Sequence, residues 1–280
     1  MIPAEFDYVA PETIDEVIRA LQEGGEEAKL LAGGHSLLPL MKLRLATPGL
    51  LVDLRKVPGL SGLERSNGGW KIGAMTPHAV LERSPELGIL SRAAATIADP
   101  QVRNRGTIGG SLAHGDPAAD LPAILLITEG SVTLRGSSEE RRVSAADLFQ
   151  DYLETAVAQD EVLTSIEVPA LDGWGFGYQK FNRRSEDWAM VAVSVLVKVT
   201  DGQCQEVRVG LTNMGSVPLR AAAVEEALRG QPLNAESIAG AAEQAAEGTD
   251  PPADLNASAE YKRHLARVLT RRALEEAAGL

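Results

Sequence analysis

The chain has 280 residues, enough for one large domain or two modest ones, since single cores seldom grow past roughly 250–300 residues. Hydrophobic residues at 44% and charged residues at 24% exclude a disordered, collagenous or coiled-coil protein, and 4% aromatics leave a mostly aliphatic core. With 27 Lys and Arg against 39 Asp and Glu, the formal charge of −12 argues against wrapping nucleic acid or lying on anionic lipid. A phosphate-bearing small ligand stays possible, because backbone N–H groups hold phosphate without side-chain charge.

The first helix announces itself: Thr13 with Glu16 forms a capping box, and Ile14, Val17, Ile18 and Leu21 then share one face. Gly24-Gly25 stops it. Leu30-Leu31-Ala32 predicts a buried strand entering a tight turn at Gly33-Gly34, and Leu50 to Leu54 and Trp70 to Ala74 predict two more. Thr76-Pro77 predicts an N-cap with proline at the first helical position. Leu90 to Ala98 is helical in pattern until Asp99-Pro100 breaks it, and a second glycine-rich turn is expected at Thr107 to Leu112. Asp116-Pro117 opens a further predicted helix running toward Leu126. Ser131–Arg135 and Glu161–Val168 are strand-like, and Pro169 to Gly177 is the expected linker.

Beyond the linker the pattern changes. Three strands are predicted, at Gly177–Phe181, Ala189–Val199 and Glu206–Leu211, then three helices at Arg220–Arg229, Ala235–Glu247 and Ser258–Ala278. Strands followed by helices point to helices on one face of an antiparallel sheet, an α+β unit. The organisation is therefore two units, 1–172 and 173–280.

The single cysteine, Cys204, forbids an intrachain disulfide and any iron–sulfur cluster held within this chain. The start Met1-Ile2-Pro3-Ala4-Glu5-Phe6-Asp7 lacks the basic and apolar runs of a signal peptide. The longest apolar stretches, Leu121 to Thr128 and Ala189 to Val199, fall short of the roughly 20 residues that span a bilayer. These features predict a cytoplasmic chain without a transmembrane segment. His35, His78, His114 and His264 have no metal-like spacing, so no metal is expected, and no catalytic acid, base or triad is assigned.

Two glycine pairs carry the chemistry. Ala32-Gly33-Gly34-His35-Ser36-Leu37 and Thr107-Ile108-Gly109-Gly110-Ser111-Leu112 each set Gly-Gly before Ser-Leu. Such pairs let main chain approach a ligand and present successive N–H donors, as a pyrophosphate needs, although a single Gly-Gly is more commonly just a tight turn. Neither segment fits the phosphate-loop or the Gly-x-Gly-x-x-Gly pattern, which disfavours a kinase or a Rossmann dehydrogenase.

The second pair sits in Gln101-Val102-Arg103-Asn104-Arg105-Gly106-Thr107-Ile108-Gly109-Gly110-Ser111-Leu112-Ala113-His114-Gly115-Asp116-Pro117-Ala118-Ala119-Asp120, which resembles the second flavin-binding segment of the molybdenum hydroxylase flavoprotein subunits. These are the medium subunits of aerobic carbon monoxide dehydrogenase and the matching domain of xanthine dehydrogenase. The first pair, continued through Leu38-Pro39-Leu40-Met41-Lys42, is similar to their first segment. Tyr178-Gln179-Lys180-Phe181-Asn182-Arg183-Arg184 with Asp187-Trp188-Ala189 resembles a third.

The resemblance implies a two-lobed FAD-binding domain of the PCMH/VAO type, with lobes of about 1–55 and 56–172, and a smaller α/β C-terminal domain. It implies that Leu30, Leu31, Ala32, Gly33, Gly34, His35, Ser36 and Leu37 make the first FAD contact, and Thr107, Gly109, Gly110 and Ser111 the second. Asp120 would bond cofactor hydroxyls, Ile97 and Ala98 would make apolar contacts, and Trp188 with Lys180 nearby would stand beside the isoalloxazine ring. Ser111 departs from the Asp or Asn of many relatives, which shortens the reach of that contact. The FAD would be non-covalent. Electrons would arrive from an iron–sulfur small subunit, fed by a molybdopterin-binding large subunit in a dimer of heterotrimers, and leave to an external acceptor. A stand-alone FAD oxidoreductase and a flavin-free assembly subunit stay open as alternatives. Carbon monoxide, aldehydes, N-heterocycles and aromatic acids all fit as substrates of the whole complex.

Overall fold

The computed structural model describes residues 2–66 and 68–280, and Met1 and Asn67 lie outside the described residues. Strand β1 (Asp7–Val9) leads to helix α1 (Ile14–Gly24), whose capping box forms as its motif predicts: Thr13 Oγ1 accepts from Glu16 N and Glu16 Oε2 from Thr13 N. Strand β2 (Ala28–Leu31), helix α2 (Leu37–Lys42) and strand β3 (Leu50–Asp53) follow. The strands make a parallel sheet in the order β1-β3-β2, and α1 closes its core with Val17, Ile18 and Leu21 against Val52 and Leu54.

The middle of the chain is built around an antiparallel sheet. Strands β4 (Leu63–Ser66) and β5 (Gly69–Gly73) are followed by helices α3 (His78–Glu82), α4 (Ile89–Ala94), α5 (Pro100–Arg103), α6 (Ile108–His114) and α7 (Asp120–Ile127). Then come β6 (Ser131–Arg135), β7 (Glu140–Ser144), α8 (Ala145–Leu148), β8 (Phe149–Asp151), β9 (Glu154–Thr155) and β10 (Val162–Val168). The sheet runs β4-β5-β10-β6-β7, with β8 and β9 paired separately. Helix α7 is apolar on every side, and it is buried because it lies between this region and the C-terminal sheet.

The last unit contains β11 (Gly175–Phe181), β12 (Val191–Thr200), β13 (Gln203–Thr212) and β14 (Leu219–Arg220), hydrogen-bonded in that order, then α9 (Ala222–Leu228), α10 (Ala235–Ala242) and α11 (Ala259–Ala278). The long α11 lies against β11 and β12, and Ser258 caps it. Gly177 permits that approach, since a Cβ there would run into the carbonyl of Ala273.

Several local expectations are corrected. Thr76 does not cap α3: its hydroxyl accepts from Gly62 N and donates to Gly62 O, and Pro77 takes the cap position. The 90–98 helix stops at Ala94, and Asp99 starts a new short helix by accepting from Val102 N. Asp116 closes a turn onto Ala118 N, so α7 begins four residues later than expected.

Candidate functional site

A cleft of about 1060 Å³ takes most of its walls from four parts of the chain, within 26–37, 97–120, 153–163 and 180–188, with further lining residues within 40–48 and 74–78. The first wall is the turn from β2 into α2. Alternation along β2 sends Leu31 into a small core with Met41 and Leu51, so among the expected contact residues its side chain alone does not line the cleft; Leu30 and Ala32 through Leu37 do. Gly34 has φ of +77°, a conformation that favours glycine. Gly33 is needed for a different reason: a Cβ there would strike the Arg105 carbonyl and come within 2.7 Å of Gly106 Cα. Among the described residues, no protein acceptor takes the N–H groups of Gly33, Gly34, His35 or Ser36. A run of unspent donors beside a cleft is what a pyrophosphate requires.

The second glycine pair behaves otherwise, and the expectation of a turn is corrected. Gly109 and Gly110 lie in the first turn of α6, capped by Thr107. Their N–H groups are spent, Gly109 donating to Ala74 O at 2.8 Å and Gly110 to Thr107 Oγ1 at 3.2 Å. Their lack of side chains serves packing, since a Cβ on Gly109 would lie 2.8 Å from Ala74 Cα and one on Gly110 would lie 3.4 Å from Ala32 Cβ. The two segments thus close on each other, and Thr107, Gly109, Gly110 and Ser111 still line the cleft.

Ile97 and Ala98 form the next part of the wall. Ala98 has φ of +42°, a left-handed turn held by Arg103, whose Nη1 donates to Ile97 O and Ala98 O at 2.9 and 3.1 Å while Nε pairs with Glu82. Beneath them His78 is buried, its N–H bonded to Gly106 O and its Nδ1 without a partner among the described residues. Burial first, then the proximity of His35 and Arg103, lowers its pKa to about 4, so the ring is neutral near pH 7.

Asp120 opens α7 and is 4% exposed. Its Oδ1 accepts from Tyr178 Oη at 2.6 Å and its Oδ2 from Lys180 Nζ at 2.9 Å, both donors coming from β11; Lys180 also donates to Thr96 O. Burial raises the Asp120 carboxyl above the ordinary carboxylate range against the opposing pull of Lys180, and burial first, then Asp120, holds the Tyr178 phenol well above 10. Trp188 stands 53% exposed in the loop between β11 and β12 and lines the same cleft.

Sequence reasoning missed the wall at 153–163, which has no glycine signature. There Gln159 Nε2 donates to Gly25 O and Ala28 O, tying this wall to the first sheet, and Arg141 grips Glu161 with two bonds of 2.7 Å. His78 was likewise invisible, because a lone His gives no motif. Among the described residues, no cluster of three or more His, Cys, Asp or Glu is placed to hold a metal ion, and no helix is long and apolar enough to cross a membrane.

Comparison with known proteins agrees with this geometry. Residues 4–171 match the FAD binding domain in molybdopterin dehydrogenase, and residues 176–277 match the CO dehydrogenase flavoprotein C-terminal domain. The chain is 40% identical over 282 residues to the carbon monoxide dehydrogenase medium chain of Hydrogenophaga pseudoflava, covering 99% of this chain and 98% of that one. It is 38% identical over 283 residues to the 6-hydroxypseudooxynicotine dehydrogenase complex subunit alpha of Paenarthrobacter nicotinovorans, covering 99% and 96%. Among solved structures, the carbon monoxide dehydrogenase of Hydrogenophaga pseudoflava lacking the Mo-pyranopterin moiety superposes with a TM-score of 0.97 at 42% identity, over 100% of this chain and 99% of that one.

Proposed function

Because the chain belongs to the FAD-binding subunits of the molybdopterin dehydrogenases, the family of the carbon monoxide dehydrogenase medium chains, we propose that it carries electrons through FAD from the iron–sulfur clusters of a small partner subunit to an external acceptor. The observation that carries the reading is the cleft, whose volume is at the upper end of the roughly 300–1,000 Å³ of small-molecule sites and suits a dinucleotide. The free N–H run at 33–36 suits a pyrophosphate, and the apolar turn at Ile97 and Ala98 and the indole of Trp188 suit flat apolar ring systems. FAD, when bound, supplies the one- and two-electron chemistry, and the protein binds, orients and shields it.

The same reading divides the chain at 172 and 173 and places the molybdopterin centre on a large partner subunit, in a dimer of heterotrimers in the cytoplasm. The single buried Cys204 supports a cluster-free chain in a reducing compartment. We take the FAD to be non-covalent, since no cysteine lines the cleft among the described residues and His35 stands at the N–H run that suits the pyrophosphate rather than the ring.

The test is reconstitution. The purified chain incubated with FAD and passed down a desalting column should emerge yellow with one FAD per chain, and acid precipitation should leave the colour in the supernatant. A colourless chain would refute the binding reading, and colour pelleting with the protein would refute non-covalent attachment. In anaerobic titrations the loaded chain should bleach with dithionite, and with organic substrates only once the partner subunits are added. Bleaching by an organic substrate without partners would replace the subunit reading with a stand-alone oxidoreductase.

A further inference from the structure

Trp188 is the only Phe, Tyr or Trp lining the cleft among the described residues, so a planar ligand ring has one large aromatic face to lie on. Yet Trp188 is half-exposed, and packing alone does not fix it. The bonds inside its loop, Asn182 Nδ2 to Ser185 O and Arg184 N to Asp187 Oδ2, shape the excursion without tying it to the rest of the molecule. The ties lie just after Trp188. Met190 N donates to Phe181 O and closes the loop at its base.

The other tie comes from Asn213, a buried residue at the end of β13. Its Nδ2 donates to Ala189 O at 2.9 Å and to Met190 O at 3.1 Å, and its N–H donates to Pro117 O at 2.8 Å. Its φ of +62° is a left-handed conformation that asparagine adopts more readily than most residues. One residue outside the cleft thus joins the loop bearing Trp188, through its side chain, to the turn that leads into Asp120, through its backbone N–H.

We propose that Asn213 is a positioning residue that sets where the Trp188 indole stands in the cleft, and through it how tightly the flavin is held. The second half of this statement rests on the FAD reading above; the first half does not.

Asn213→Gly tests it, because glycine keeps the left-handed backbone and the N–H bond to Pro117 and deletes only the two amide donors. The chain has three Trp, so 5-fluorotryptophan labelling gives three fluorine resonances, with Trp188 assigned through Trp188→Phe. In the flavin-free chain, Asn213→Gly should shift or broaden the Trp188 resonance and leave those of Trp70 and Trp174 in place. With FAD added, the dissociation constant should rise about tenfold, the scale of one or two lost hydrogen bonds. An unmoved Trp188 resonance overturns the proposal, as does movement of all three, which would mark a general loosening. A moved Trp188 with unchanged FAD affinity overturns the link to the cofactor. If the wild-type chain itself takes up no FAD, the functional reading fails, while the flavin-free spectra still decide the role of Asn213. Should the glycine variant not fold, the same spectra are taken in sucrose, which favours the folded state without touching these contacts, and are read the same way.

Discussion

Replacing Gly33 by alanine tests whether the two glycine segments must touch. The added Cβ would meet the Arg105 carbonyl, Gly106 Cα at 2.7 Å and Arg105 C at 3.0 Å, all backbone atoms. Ordinary contact needs about 3.5–4.0 Å, so the β2–α2 turn must retreat by about 1 Å or more from the segment that leads into α6. Overpacking of this kind costs about 1–3 kcal/mol, and a chain of this size loses roughly 2–4 °C in Tm per kcal/mol, giving a fall of about 2–12 °C. Because the same retreat moves the free N–H groups, FAD retention should drop further than stability does. The assays are thermal unfolding followed by circular dichroism and the flavin-to-protein absorbance ratio after desalting. Gly240→Ala is the control: nothing lies within 4 Å of its Cβ position, it sits within α10, and alanine there should be neutral or stabilising by roughly 0.5–1 kcal/mol. If Gly33→Ala unfolds and binds FAD like Gly240→Ala, close approach of the two segments is not what shapes the cleft.

Two further outcomes follow from buried titratable groups. His78 binds its proton with a pKa of about 4 in the fold against 6.5 when free, so as pH falls from 6.5 to 4 the unfolded chain gains a proton that the folded one refuses. At about 1.4 kcal/mol per unit, roughly 3 kcal/mol of stability should disappear across that window; denaturant titrations should show it, and His78→Gln should lack it. Lys180→Met leaves Asp120 buried without its cation and should cost about 3–5 kcal/mol near neutral pH. Because burial already raises that carboxyl, protonation relieves the variant as pH falls, so its deficit should shrink between pH 8 and pH 5; a deficit independent of pH would mean that the ion pair is not what stabilises the junction.

The sequence was most readable where chemistry is local. The Thr13 capping box and β6 over Ser131–Arg135 are fixed by neighbouring residues, and both stand where the sequence puts them. What eluded it depends on distant partners. Gly109-Gly110 has the composition of a turn, but the Thr107 cap and the Ala74 carbonyl make it a helix start. Thr76 precedes proline like an N-cap residue, yet its hydroxyl is taken by Gly62, fourteen positions away. In the cleft, the glycine segments were found because glycine leaves a mark in sequence. Gln159 and His78 were not, nor was Asn213 behind it, because their roles arise only when distant parts of the chain bring carbonyls and walls to them.

Both carboxylate oxygens of Asp120 are met by donors on β11, beyond the linker. A chain cut at that linker would keep the glycine segments and most of the cleft, but it would also expose the apolar flank of α7 and strand a buried anion beside it. The flavin-binding part is therefore no portable cassette. Gene fusions and rearrangements that preserve the cleft have to carry the two units together, and a change on either side of this junction has to be answered on the other.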